Sequence, residues 1–152
     1  MNRMGIVLGI ISTLGLIFGG GAYPQGGAGW KGSGGWGAKD RYQKVYDVRS
    51  VETISGEVLR IERLTPMEGM SYGVHLIVKT ETEEIPVHLG PGWFVENQEL
   101  TFAPQDKVEI KGSRITYGGN PAIIAAEVKR GDDVLILRDE EGYPVWSGWR
   151  GR

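Results

Sequence analysis

Four side chains are placed where they could do chemistry together. His75 and His88 are the only histidines in the chain, and Met67 and Met70 lie just before the first of them. Imidazole nitrogen combined with thioether sulfur suits copper, Cu(I) above all, in an oxidising compartment free of competing thiols; zinc is the other candidate ion. The chain has no cysteine, which removes disulfides, thiolate metal sites, cysteine nucleophiles, lipid anchoring through cysteine and Cys-x-x-Cys-His haem attachment. The alternative is plainer: two ordinary histidines on a wet strand face, with the methionines covering one end of the fold. Catalysis has no comparable starting set. There is no Gly-x-Ser-x-Gly turn and no His-Glu-x-x-His. Glu81, Glu83 and Glu84 read as a solvated turn, and Asp139-Glu140-Glu141 lacks the spacing of a calcium loop. We expect no enzyme.

The histidines need a hairpin to bring them together. Residues 73–93 read GVHLIVKTETEEIPVHLGPGW. Val74, Leu76 and Val78 alternate with His75, Ile77 and Lys79, and Ile85, Val87 and Leu89 alternate with Pro86 and His88, the period of a half-buried strand. With Val78 opposite Val87 and Leu76 opposite Leu89, both apolar rows share one face, whereas a slip of one residue splits the core. In that register Ile77 faces His88 and His75 faces Gly90. The histidines then lie diagonally on the outer face, about 7–8 Å apart.

The remainder of the chain divides by composition. Arg3, the apolar run from Met4 to Phe18 and the small residues Gly20-Gly21-Ala22 predict a signal peptide over residues 1–22, with an uncleaved N-terminal anchor touching the membrane through residues 4–18 as the alternative. Ten glycines between Gly19 and Gly37, with Trp30 and Trp36 among them, predict a flexible tether over residues 23–50. Tyr42 and Tyr46 near its end suggest one helical turn or a docking arm. Residues 23–50 carry a balance of +3, while from Val51 onward 11 Lys/Arg stand against 17 Asp/Glu, a balance of −6. An acidic body suits a polyphosphate poorly, so single-stranded nucleic acid is a disfavoured ligand even though Tyr72 and Tyr117 could stack on bases.

From Val51 the pattern is of strands. A long one, Val51 to Leu64, changes parity beside Gly56 and predicts a bend. The loop from Thr65 to Met70 leads into the hairpin, and Gly90-Pro91-Gly92 starts a short helix. Strands follow at Lys107 to Tyr117, with a shift at Gly112, at Ala122 to Arg130, and at Val134 to Leu137. The tail Tyr143 to Trp149 is placed to fold back over an open edge. This order predicts an all-β, OB-fold-like Greek-key barrel over residues 51–152, with five strands, an extra C-terminal strand and a short helix between strands 3 and 4. An SH3-like barrel or a small sandwich is the runner-up.

The runs SVETISGEVLRIERL, VHLGPGWF, KVEIKGSRI and PAIIAAEV, with the Trp-rich end, resemble exported bacterial OB-like domains, most of all the MamS/MamX type of magnetosome proteins. The resemblance covers the chain from Val51 on. It implies a role in the cell envelope or at a magnetosome membrane. Some members carry covalent haem, which a chain without cysteine cannot attach. The expectation is therefore an exported, periplasmic, non-catalytic adaptor that docks an envelope protein. Copper or zinc binding through His75, His88, Met67 and Met70 is the second reading.

Overall fold

The computed structural model describes residues 34–147. The predicted signal peptide lies outside the described residues. Among the described residues, no helix is long and apolar enough to cross a membrane.

Six strands form one sheet that closes on itself. β1 is Val51–Leu64, β2 Gly73–Lys79, β3 Glu84–Pro91, β4 Lys107–Tyr117, β5 Asn120–Arg130 and β6 Asp133–Ile136, with the one-turn helix α1, Gly92–Val95, after β3. β1 pairs with both β2 and β4, β2 pairs with β3, and β4 pairs with β5, all antiparallel. A parallel seam, Val87 opposite Ile123 and His88 opposite Ile124, joins β3 to β5 and completes the ring β1-β2-β3-β5-β4. This is the five-stranded Greek-key barrel expected from the sequence, with β6 added along Glu127 to Arg130 of β5, beyond the β3 seam.

β1 is long because it serves two partners. Val51 to Glu57 pair with β4, Glu57 to Leu64 pair with β2, and the register shifts between Val58 and Arg60. Gly56 sits at this crossing, where a Cβ would lie 2.4 Å from the Lys79 carbonyl oxygen. Gly56→Ala should therefore cost about 1–3 kcal/mol in urea unfolding, the usual penalty of overpacking a tight backbone approach. The shift expected at Gly112 is also present, between Lys111 and Gly112. Inside the ring, Val58, Leu76, Val78, Ile85, Val87, Leu89, Ile110 and Val128 are almost wholly inaccessible.

Two sequence expectations change. The first is the hairpin register. Val78 lies opposite Ile85 and Leu76 opposite Val87, two positions from the predicted pairing. Both pairings keep the apolar rows on one face, so hydrophobic pattern alone does not choose between them. The turn chooses: Thr80 N donates to Glu83 O at 2.8 Å, and Thr80 Oγ1 accepts from Thr82 N and Glu83 N at 3.2 and 3.1 Å. This fixes Lys79 opposite Glu84. Glu83 is also more than a solubilising residue, since Arg114 Nη2 donates to its carboxylate at 2.7 Å and holds it below the usual carboxylate range.

The second change concerns the tether. The compact unit already includes residue 34, the first described, well before the predicted boundary at residue 51. Trp36 and Tyr42 are buried in the same core cluster as the barrel residues. Residues 34–50 form an arm containing two 3-10 turns, Arg41–Val45 and Val48–Ser50, and the arm packs on the barrel instead of spacing it. Its end is pinned to β4, where Asp47 N donates to Ser113 Oγ at 3.1 Å and the Ser50 and Ser113 hydroxyls lie 2.8 Å apart. The described part of the tail folds back, but Trp146 packs over Gly90 on the β2–β3 face and not along the open edge: Pro144 bridges Arg138, and Trp146 is fully buried.

Candidate functional site

The register places His75 directly opposite His88 on the outer face of β2 and β3. The shared face was expected; the surroundings differ. Both side chains are about 1% exposed, so they are not rim residues on a wet surface. Their rings stack with centroids 3.9 Å apart and planes 10° from parallel. Tyr42 from the arm lies parallel to His88 on one side, and Tyr117 from β4 meets His88 edge-on at 4.9 Å.

Two glycines make room for the cover. A Cβ at Gly73 would come within 2.7 Å of the Trp36 indole, and one at Gly90 within 2.9 Å of the Trp146 indole. Glycine in a strand interior often marks such a close approach. The two indoles meet edge-on at 6.1 Å, and Trp146 Nε1 donates to Trp36 O at 2.8 Å. Trp36 Nε1 donates to Ser71 O at 3.0 Å. Arg138 is 3% exposed beside them, with its guanidinium carbon 5.1 Å from the Tyr46 ring centre and 5.3 Å from that of Trp146. Its Nη1 donates to Gly142 O at 3.0 Å, and burial pulls its pKa down to about 10. An arginine at this depth leans on aromatic faces and a carbonyl in place of water.

Burial keeps both imidazoles neutral. It lowers the pKa of His75 to about 4, against a smaller upward pull from Glu62, its neighbour on β1. It lowers that of His88 to about 3, helped by the neighbouring His75 and by Arg138. Tyr42 Oη and His88 Nδ1 lie 2.7 Å apart, and burial pushes the Tyr42 phenol well above its ordinary pKa. Whichever of the two atoms carries the shared proton, His88 Nε2 is left without a partner, and so is His75 Nε2.

This geometry alters the metal expectation. An ion lies in the plane of each imidazole that ligates it, and two nearly parallel rings 3.9 Å apart have no common point in their planes close to both nitrogens. One ring would have to turn before the pair could share copper or zinc. The methionines lie elsewhere, in the loop after β1 where it meets the arm: Arg41 Nη2 reaches Met67 Sδ at 3.8 Å, and Met70 lies against Gly35. With Asp40, Tyr42, Glu68 and Gly69 these residues line a shallow depression between the arm and the loop after β1. Among the described residues, no group of three or more His, Asp or Glu is arranged to hold a metal ion. The structure therefore assembles the histidines into a buried aromatic cluster and gives the methionines a packing role.

A closed ring β1-β2-β3-β5-β4 with a helix between β3 and β4 makes this an OB-fold protein whose β2–β3 face is covered by its own arm and tail. Residues 50–135 match the MamS/MamX magnetosome protein family, and the chain belongs to that family. Among solved structures it is similar to the dimeric N-terminal domain of PriB protein from Thermoanaerobacter tencongensis, at 15% identity, with 60% of this chain and 99% of that chain covered and a TM-score of 0.37. A comparison with curated proteins finds no match.

Proposed function

We propose that the protein is a non-catalytic adaptor, exported to the cell envelope and working in a magnetosome-type membrane system, that docks an extended segment of a partner protein. Membership of the family supports the setting. The observation that carries docking is the open edge of the sheet. β6 pairs with β5 alone. Leu135 and Leu137 anchor it in the core, while Val134 and Ile136 point outward at 47% and 48% exposure. Tyr143 and Val145, just beyond, are exposed as well. An unpaired edge with outward apolar side chains is a template for an incoming strand. Asp132 precedes the strand, Asp133 opens it, and Asp139, Glu140 and Glu141 follow it, so the fitting partner strand carries basic residues at its ends. A second copy of the same edge, paired antiparallel, would bring acidic ends together.

A nucleic-acid role has less support. The body is acidic, and the face on which OB-folds stack bases holds Trp36 and Tyr42.

The test compares proteins captured from envelope extracts by the parent and by a Val134→Lys/Ile136→Lys variant. Surface changes of this kind should leave unfolding stability within about 0.5 kcal/mol. A captured protein that the variant loses, and that high salt releases, supports the reading. Equal capture by both proteins refutes the edge as the docking site, and recovery of the protein only from the cytoplasm refutes the envelope setting.

A further inference from the structure

Tyr117 aside, the aromatic residues packed over the histidine face lie outside the part of the chain matched by the family. Gly73, His75, His88 and Gly90 fall within residues 50–135, whereas Trp36 and Tyr42 precede them and Trp146 follows. The face belongs to the shared barrel, and its cover comes from the flanks. The arm holds that face as a bound peptide would. Trp36 fills a socket floored by Gly73, and its indole N–H donates to Ser71 O. Ser71 N donates in return to Gly34 O at 2.9 Å. Tyr42 lies on His88 and shares a proton with its Nδ1. No strand ladder ties the arm to β2 or β3. Only residues 47–50 join it to β1, and the Trp146 bond to Trp36 O closes over it.

We propose that the outer face of β2 and β3 is a peptide-binding groove, that residues 34–46 are its resident ligand, and that the same segment of a second copy of the chain takes their place. Every barrel fits every arm, because the segments are identical, and exchange of an identical element is a low-cost route to a dimer. A short linker gives the chain's own arm an effective concentration of about millimolar. Exchange therefore belongs to conditions that crowd copies to a similar local concentration, such as attachment to one membrane. This groove is separate from the β6 edge, so either proposal can fail without the other.

The absence of cysteine makes the test direct. A Cβ at Gly34 would lie 3.2 Å from Ser71 Cβ, a few tenths of an ångström under the separation of about 3.5–4.5 Å found in disulfides. Gly34 has a φ of +60°, so the bridge forms with a small shift of the arm's first residue. Full-length Gly34→Cys and Ser71→Cys chains are prepared reduced, mixed, oxidised and run on a non-reducing gel. The expected result is a mixed covalent dimer, several-fold above what either chain forms alone and rising with protein concentration. The double variant at high dilution should instead close within one chain. Closure of the double variant without any mixed dimer would overturn exchange, and failure of the double variant to close would overturn the seating of the arm. A second readout uses a synthetic peptide of residues 34–46 added to full-length Trp36→Ala. A rise in Tm with peptide supports the groove, and no rise up to millimolar peptide overturns it.

Discussion

Acidification from pH 6.5 to 5 should remove about 3 kcal/mol of folding stability. The source is the stacked pair. His75 and His88 are held neutral in the folded protein, with pKa values down to about 4 and about 3, whereas an unfolded histidine titrates near its ordinary value of 6.5. Below pH 6.5 the unfolded chain therefore binds protons that the folded chain refuses. Stability is complete above about 6.5 and falls as pH drops, levelling off only below the folded values. Each refused proton changes stability by about 1.4 kcal/mol per pH unit, so two give about 2.7 over the steep part. Carboxylates titrate lower and contribute little above pH 5. Urea unfolding at a series of pH values measures the slope directly. Replacing one histidine with phenylalanine should halve it, and a slope unchanged by either replacement would mean that the protons go elsewhere.

Trp36→Ala should cost about 3–5 kcal/mol, the range for removing a large buried aromatic side chain. The sequence alone would place this residue in a glycine-rich spacer, where substitution is neutral. In the structure it is fully buried, lies edge-on to Tyr42 at 5.0 Å and to Trp146 at 6.1 Å, donates to Ser71 O, and offers its carbonyl to Trp146 Nε1. Its loss opens a cavity over Gly73 and admits water to the imidazoles. The pH slope should flatten in the same variant, because hydrated histidines return towards their ordinary pKa. Chemical unfolding at pH 7 and at pH 5.5 tests both effects together. A cost below about 1 kcal/mol would show that the arm adds little to the stability of the barrel.

Strand positions were legible because a strand buried on one face alternates, and the glycine-marked bends at Gly56 and Gly112 interrupt that alternation where the backbone is crowded. The hairpin register was half legible. Pattern restricts it to even shifts, but the hydrogen bonds of Thr80 decide which one. The burial of the histidines was not legible from the hairpin, since the rings on their face come from elsewhere: Tyr42 and Tyr117 against His88, Trp36, from a low-complexity stretch, over Gly73, and Trp146, from the tail, over Gly90. The available signal was the pair Gly73 and Gly90, glycines on strands where a large ring could approach, in a chain whose spare tryptophans sit near its two ends. His75 and His88 resembled ligands because nothing local shows what else would satisfy them.

The bond from Trp146 to the Trp36 carbonyl spans 110 positions of sequence. It also gives the protein an order of completion. The barrel strands end with β6 at Ile136, yet a chain cut short before residue 146 has no indole to lay on Gly90, and the Trp36 carbonyl keeps only the Gln43 Nε2 donor at 3.2 Å. A nascent chain can therefore pair its strands while the histidine face is still wet. A contact across so many residues carries a large closing entropy and is completed only after all six described strands have been made. Until Trp146 follows the strands, the barrel is formed but its histidine face is not sealed.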